Sequence, residues 1–392
     1  MLVSFCLLSS TLLLLIHIGC IWSILFKLKY TTIEKLYFIG LIVTSSTAAI
    51  LSLIFPLNFY LACFLFVALG ILSILNRKKI RDCYQNAIVS FLKEKSVVFI
   101  VVIFSLFTYA LTAKITLYDT GLYHTQAIKW IQEYAAVPGL GNLHGRFAFN
   151  SHFLVLSALF AFEFKMGTEA IIVYPINASA LLMLVIYLFN LGKTHFSDRN
   201  YLLGITYFVI ISVCLLLYTF WVNSPSPDII SAVLVLYSVV FFIELKGNYS
   251  LENTVLLAAL IFTAIVFKLS NTFLALLLLP ILVSYSNYKI RGLKKLFFSM
   301  LVLAVLIIGP FLARNVILSG YLVYPLAKVD LFDVDWKIPV SIVEEESLHI
   351  NTWAKIPRRD DAEVSQMKIH EWIPIWWQKK SMPFKMLIAG NL

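Results

Sequence analysis

Charge is what this sequence has least of. Only 13% of its 392 residues are Asp, Glu, Lys or Arg, against 60% hydrophobic. A soluble domain carries about a quarter charged residues, so the composition excludes an ordinary water-soluble globule and points to an integral membrane protein. The five cysteines (Cys6, Cys20, Cys63, Cys83, Cys214) show no metal or redox spacing, and four lie in apolar runs where they read as small hydrophobes. No Gly-rich phosphate loop is present, which argues against a soluble nucleotide-linked substrate. The N-terminal run lacks a basic n-region and a small-residue cleavage site, and so reads as a span rather than a signal peptide. No internal repeat, low-complexity tract or soluble linker interrupts the chain.

What is present is a series of long apolar runs. Spans are expected near residues 2–26, 36–55, 57–75, 96–113, 169–191, 201–222, 229–245, 253–270, 272–286 and 296–313, with Pro56 separating the second from the third and Asn271 turning the eighth into the ninth. This gives an all-α polytopic fold of about ten transmembrane helices. The loops 27–35, 76–95, 192–200, 246–252 and 287–295 hold 16 basic residues. The other side, up to residue 313, holds Lys114, Lys129, Arg146, Lys165 and Lys268. The positive-inside rule puts the richer loops in the cytoplasm. The net charge of +10 is thus a topology signal, not a nucleic-acid footprint. Three regions follow: 1–95, three spans and a basic loop; 96–313, seven spans with a large outer loop at 114–168; and 314–392, an outer tail of 10 basic and 10 acidic residues. The ending "MLIAGNL" reads as the start of a further helix.

The outer loop concentrates polar chemistry in "LYDTGLYHTQAIKWIQEYAAVPGLGNLHGRFAFNSH". Residues 120–134 have helical period, with Tyr123, Ala127, Trp130, Ile131 and Tyr134 on one face, and are expected to lie flat on the outer leaflet. Pro138 and Gly139 end that helix, and "FNSHFLVLSALFAF" (149–162) is too short to span and reads as a half-buried helix on the outer face.

Asp119 fits a helix N-cap as readily as a site, Asp228 in "NSPSPDII" does so too, and Glu133 fits an i,i+4 pair with Lys129. His124 lies at the edge of the apolar stripe, and Lys268 stands within a span and can snorkel outward. Arg314 leaves the last span. His144, Arg146, Asn150 and His152 precede a segment entering lipid, where ionisable groups by default mark a site. The topology puts Asp119, Asp228, Lys268 and Arg314 at one surface. Two carboxylates and two cations there suit an anionic lipid carrier: the cations neutralise a phosphate, and a carboxylate serves as base or holds a metal.

With these residues the chain resembles the GT-C superfamily of polytopic membrane glycosyltransferases, the class that includes protein mannosyltransferases and the lipid A aminoarabinose transferase. The resemblance covers roughly residues 96–325 and rests on "YDTGLYH", "SPSPDIISAVLVLYSVVFF", Lys268 and "RNVILSGYLVYP". The family's His-x-Pro-Pro element is absent, and "GNLHGRFAFNSH" stands in its place. The resemblance implies a polyprenyl-phosphate-linked sugar as donor. It implies a glycan, lipid or protein as acceptor, and transfer on the outer face of a bacterial inner membrane. It makes Asp119 and Asp228 the catalytic carboxylates, with a divalent cation (Mg²⁺ or Mn²⁺) as the one cofactor they could hold. It makes Lys268 and Arg314 the donor-phosphate ligands, and lines the acceptor pocket with His124, Glu133, His144, Arg146, Asn150, His152 and Tyr324. A polysaccharide polymerase or ligase shares this chemistry. A lipid-sugar flippase would instead place polar groups along a midplane path, and a non-enzymatic scaffold remains the bland alternative.

Overall fold

A computed structural model describes residues 1–28, 32–93, 97–166, 169–247, 249–287, 291–380 and 385. The chain is 76% helical, with one two-stranded hairpin. It divides into two compact units, residues 1–136 with 151–311, and residues 137–150 with 312–392. The "MLIAGNL" ending lies outside the described residues.

Among the described residues six helices are long and apolar enough to cross a membrane: α1 (Leu2–Leu25), α2 (Ile33–Leu51), α8 (Ile176–Ser197), α9 (Tyr201–Tyr218, its span continuing to Trp221), α10 (Pro227–Glu244) and α13 (Arg291–Ser319, its span beginning at Leu293). Seven result if α3 (Phe59–Leu75) and α4 (Arg77–Lys93) form one span, though they bend by 89° between them. Shorter apolar helices are α5 (Val97–Ala110), α11 (Leu251–Phe267) and the 3-10 segment Leu269–Leu277 running into α12 (Leu278–Asn287). This is the architecture of a multi-pass membrane protein. All of α3 is at least partly exposed, as a lipid-facing helix would be.

In the first unit α1 and α2 pack backbone to backbone. A Cβ on Gly19 would sit 1.8 Å from the Leu36 carbonyl oxygen, and one on Gly40 equally close to that of Leu15, so only glycine fits at either position. The core helix is α8, buried at every residue from Ile176 to Leu188. The Tyr37 and Ser179 hydroxyls, 2.7 Å apart, tie α2 to it. The second unit contains α14 (Val340–Lys355), α15 (Asp361–Gln366) and α16 (Ile369–Gln378), and a core of Ala148, Tyr321, Tyr324, Ile338 and Val343.

Four sequence expectations change. The run at 169–191 is not one span: Glu169–Val173 is β2, antiparallel to β1 (Phe162–Met166), and α8 starts only after Pro175. The β-branched Ile171, Ile172 and Val173 suit an extended strand. The segment expected to be half-buried on the outer face is α7 (His152–Leu159), buried from His152 to Ala158 because it packs on α2, α10 and α11. The basic stretch 76–95 contains the amphipathic helix α4 rather than a loop. Finally α11 ends at Phe267, so Lys268 stands beyond the helix. Asn271 caps that end, its Nδ2 donating to the Ala264 carbonyl over 2.8 Å, instead of marking the turn.

Candidate functional site

Asp228 owes its position to the residues before it. The Ser226 hydroxyl accepts the Asp228 N–H (3.3 Å), so Ser226 is the N-cap of α10, and Pro227 opens the helix with the dihedral it already holds. Asp228 is therefore not the cap. Its exposed carboxylate lies in the first turn, where the helix dipole favours negative charge. Lys268 follows α11 in extended conformation (φ −153°, ψ 117°) and its ammonium pairs with Asp228 Oδ1. The side chains are 45% and 62% exposed, so water screens the pair and it contributes little stability.

The loop leading into α10 is fixed from several directions. Asn177 Nδ2 on α8 donates to the Ser224 and Ser226 carbonyls (2.7 and 3.0 Å). Asn223 accepts the Tyr174 N–H (3.2 Å) and donates to the Ala113 carbonyl (3.2 Å). The Ser224 and Thr120 hydroxyls, both buried, meet at 2.6 Å. Thr120 begins a π-helical turn, Thr120–His124, which leads into α6 (Thr125–Glu133). Asp119 immediately precedes it, half-buried and making no capping hydrogen bond to that turn. The residue beside Asp119 is thus bonded to the loop that carries Asp228.

Lys268 is anchored in the same way. The Ser151 hydroxyl donates to the Phe267 carbonyl (2.7 Å), and the Phe153 and Phe267 rings lie 5.7 Å apart. Next to Ser151 is His152, buried and edge-on to Phe311 at 5.7 Å. Four residues named from sequence, Asp119, His152, Asp228 and Lys268, therefore sit on elements bonded together at one end of the first unit.

His124 is buried with Ala127, Ile128 and Ile131, while Trp130 is half-buried and Tyr134 exposed. Glu133 and Lys129 are both exposed, and among the described residues no ion pair joins them. Glu133 is not brought to the Asp119 end of α6.

The other candidates belong to the second unit. Gly139 turns the chain with φ +67°, and its N–H donates to the Ile317 carbonyl (2.8 Å). Asn142 Nδ2 donates to the Trp336 carbonyl (2.8 Å). His144, exposed, accepts the Arg146 N–H at Nδ1 (3.2 Å); Arg146 and Asn150 are half-buried, and Arg314 is buried. The Tyr324 hydroxyl is buried without a hydrogen-bond partner, as is one oxygen of Glu346. The Tyr324 hydroxyl and the other Glu346 oxygen approach Gly145, where a Cβ would lie 3.2 Å from the Tyr324 oxygen and 3.1 Å from Glu346 Oε1. Burial, then the Glu346 carboxylate, raises the Tyr324 phenol well above its ordinary value. Glu346 was not singled out from sequence, where it is one of three consecutive glutamates in a polar tail.

Among the described residues no three His, Cys, Asp or Glu side chains gather as a metal-binding group. A family model matches residues 1–390, and its description is "Domain of unknown function (DUF8201)". No curated protein and no solved structure matches the sequence.

Proposed function

Starting from a chain that belongs to the DUF8201 family, we propose that this membrane protein is a glycosyltransferase. It takes a sugar from a polyprenyl-phosphate carrier and passes it to an envelope glycan, lipid or protein acceptor on the outer face of a bacterial inner membrane. The observation that carries this reading is the joining of the Asp119 turn to the Asp228–Lys268 pair at one end of the first unit. Two carboxylates and one exposed cation at the ends of apolar helices suit a reaction between a lipid-borne phosphate ester and a hydroxyl. In this reading α3, α5, α11 and the 269–284 segment also cross, bringing the spans to ten.

The acceptor hydroxyl gives its proton to Asp119 as its oxygen attacks the anomeric carbon of the donor sugar. The bond from that carbon to the phosphate oxygen breaks, and the polyprenyl phosphate leaves with the electron pair. Lys268, held in direction by Asp228, neutralises the leaving phosphate. Asp119 and Asp228 are the residues that would hold a Mg²⁺ or Mn²⁺ ion, which would supply further neutralisation of the leaving phosphate.

Binding and transfer of a polyprenyl-phosphate hexose by the purified chain tests this. Lys268→Gln removes a charge-assisted hydrogen bond of about 1.5–3 kcal/mol and should weaken donor binding roughly 10- to 150-fold. Asp119→Asn should bind donor normally and stop transfer. Unchanged donor affinity in Lys268→Gln with active Asp119→Asn would overturn the reading.

A further inference from the structure

α3 and α4 meet at 89°, and α1 holds the corner. The Ser73 hydroxyl donates to the Leu69 carbonyl (2.6 Å), so Nε2 of His17 on α1 donates to Ser73 (2.8 Å) and its Nδ1 accepts the Tyr84 hydroxyl (2.9 Å). Ile80, with Cys83 and Tyr84 beside it, packs on Cys20 and Ile21 of α1. Ile80 and Ala87 are buried and Tyr84 half-buried, at i, i+4 and i+7 spacing. One stripe of α4 is therefore covered, and its other side chains are turned outward.

The first turn of α4 holds Arg77, Lys78 and Lys79, all exposed, and Arg81 follows. Among the described residues no carboxylate pairs with Arg77, Lys78 or Lys79, and Arg81 meets Asp82 at 3.9 Å with both side chains well exposed, where water screens the contact. Glu244, by contrast, is answered within the chain, its Oε1 accepting from His195 Nε2 (2.9 Å) and from the Tyr207 hydroxyl. No acidic residue stands in the first turn of α4. The helix dipole favours anions there, and the three cations oppose both it and one another. A bound anion relieves both.

Apolar surface adjoins these cations. Ile71, Ile74 and Leu75, on one face at the end of α3, are 55%, 71% and 74% exposed. Arg77, Arg81 and Ile88, all exposed, follow one flank of α4 at i, i+4 and i+11. A free phosphate would use the cations and leave the apolar face in the open. An amphiphile uses both, its acyl chains lying along α3 and its phosphate meeting the cations.

We propose that the α3–α4 corner is a docking surface for an anionic phospholipid of the bilayer. Arg77, Lys78, Lys79 and Arg81 hold its phosphate, and its acyl chains lie on Ile71, Ile74 and Leu75. The proposal needs α3 to lie in the bilayer and uses none of the residues assigned to sugar transfer, so it stands or falls apart from that reading.

The test places the full chain in nanodiscs of equal phosphatidylcholine and phosphatidylglycerol, extracts it gently and counts retained lipid by mass spectrometry. Each cation near an anionic head group favours it by about 5-fold, so the wild-type chain should retain phosphatidylglycerol over phosphatidylcholine by about 10-fold or more. Arg77→Gln/Lys78→Gln/Lys79→Gln should lose most of that preference. Lys78→Gln alone, a single exposed change that keeps the test open if the triple variant fails to fold, should lower it by about 5-fold. Arg77→Lys/Lys78→Arg/Lys79→Arg keeps the charge and should keep the preference. Lys328→Gln/Arg358→Gln/Lys368→Gln removes equal charge from exposed positions of the second unit and should leave the preference unchanged. Equal retention of both lipids by the wild-type chain, a preference untouched in both glutamine variants of α4, or an equal fall in the second-unit variant would overturn the proposal. Release of the lipid by inorganic phosphate at matched ionic strength would overturn it too, by making the ligand a soluble anion.

Discussion

The hydroxyls of Thr120 and Ser224 share a buried hydrogen bond of 2.6 Å across 104 positions of sequence, and it is the direct tie between the Asp119 turn and the loop before Asp228. Thr120→Val keeps the shape and strands the Ser224 hydroxyl, which should cost about 1–3 kcal/mol of stability. Adding Ser224→Ala removes the stranded group, so the double variant should be destabilised by less than the sum of the singles. Thermal unfolding of the three variants in one detergent decides it. Strict additivity would mean the two hydroxyls do not depend on each other.

The crossing of α1 and α2 gives a sharper stability test. Gly19→Ala and Gly40→Ala each drive a methyl group into a carbonyl oxygen at 1.8 Å, so the helices must separate. A loss of at least the roughly 1–3 kcal/mol typical of overpacking is expected from either. Gly70→Ala on α3, with nothing within 4 Å of the new atom, should be neutral or stabilising by up to about 1 kcal/mol through helix propensity. Equal melting temperatures for all three would refute the backbone contact.

Acid should weaken the second unit through Asp361. Hydrogen bonds from Thr352 and from His349 (Nδ1 to Oδ2, 2.9 Å) lower its carboxyl below the ordinary 3.8. A depressed carboxyl contributes stability above about pH 4 and loses it as pH falls through the lower folded value. Trp353, its ring 5.5 Å from that of His349, offers a fluorescence reporter. Asp361→Asn should be less stable than wild type near neutrality and should lack the wild-type loss below pH 4. Matching acid profiles for the two proteins would remove this carboxylate from the account.

Orientation is tested by labelling. Leu143 is 69% exposed and Asp198 lies in the exposed turn after α8. Leu143→Cys should react with an impermeant maleimide on intact cells, and Asp198→Cys only after permeabilisation. The reverse pattern would place Asp119 in the cytoplasm and end the outer-face reading.

The long spans were legible because twenty or so apolar residues in a row have few alternatives. α1, α9 and α10 fall within a few residues of their expected limits. Where several states compete, tertiary contacts decided. The Glu169–Val173 run is apolar enough to extend a span, yet it pairs with Phe162–Met166, and only Pro175 hinted at the break. At Asp228 the choice of cap lay between two polar residues two positions apart, and the serine took the role. Lys268 was visible as an unusual cation, but its pairing with Asp228, 40 positions away, was not. Glu244 went unremarked, because its hydrogen-bond donors, His195 and Tyr207, come from two other helices.

The second unit is assembled from two stretches of chain, 137–150 and 312–392, and this has a consequence in time. Asn142 must find the Trp336 carbonyl, 194 positions later in synthesis. At roughly 5–20 residues per second, the ribosome delivers that partner about 10–40 s after Asn142 itself. For that interval Gly139, Asn142 and Ala148 have no core to join, while α8 to α11 are still being made. The nascent protein therefore passes through a stage in which its membrane helices precede the unit that the 137–150 segment is waiting for.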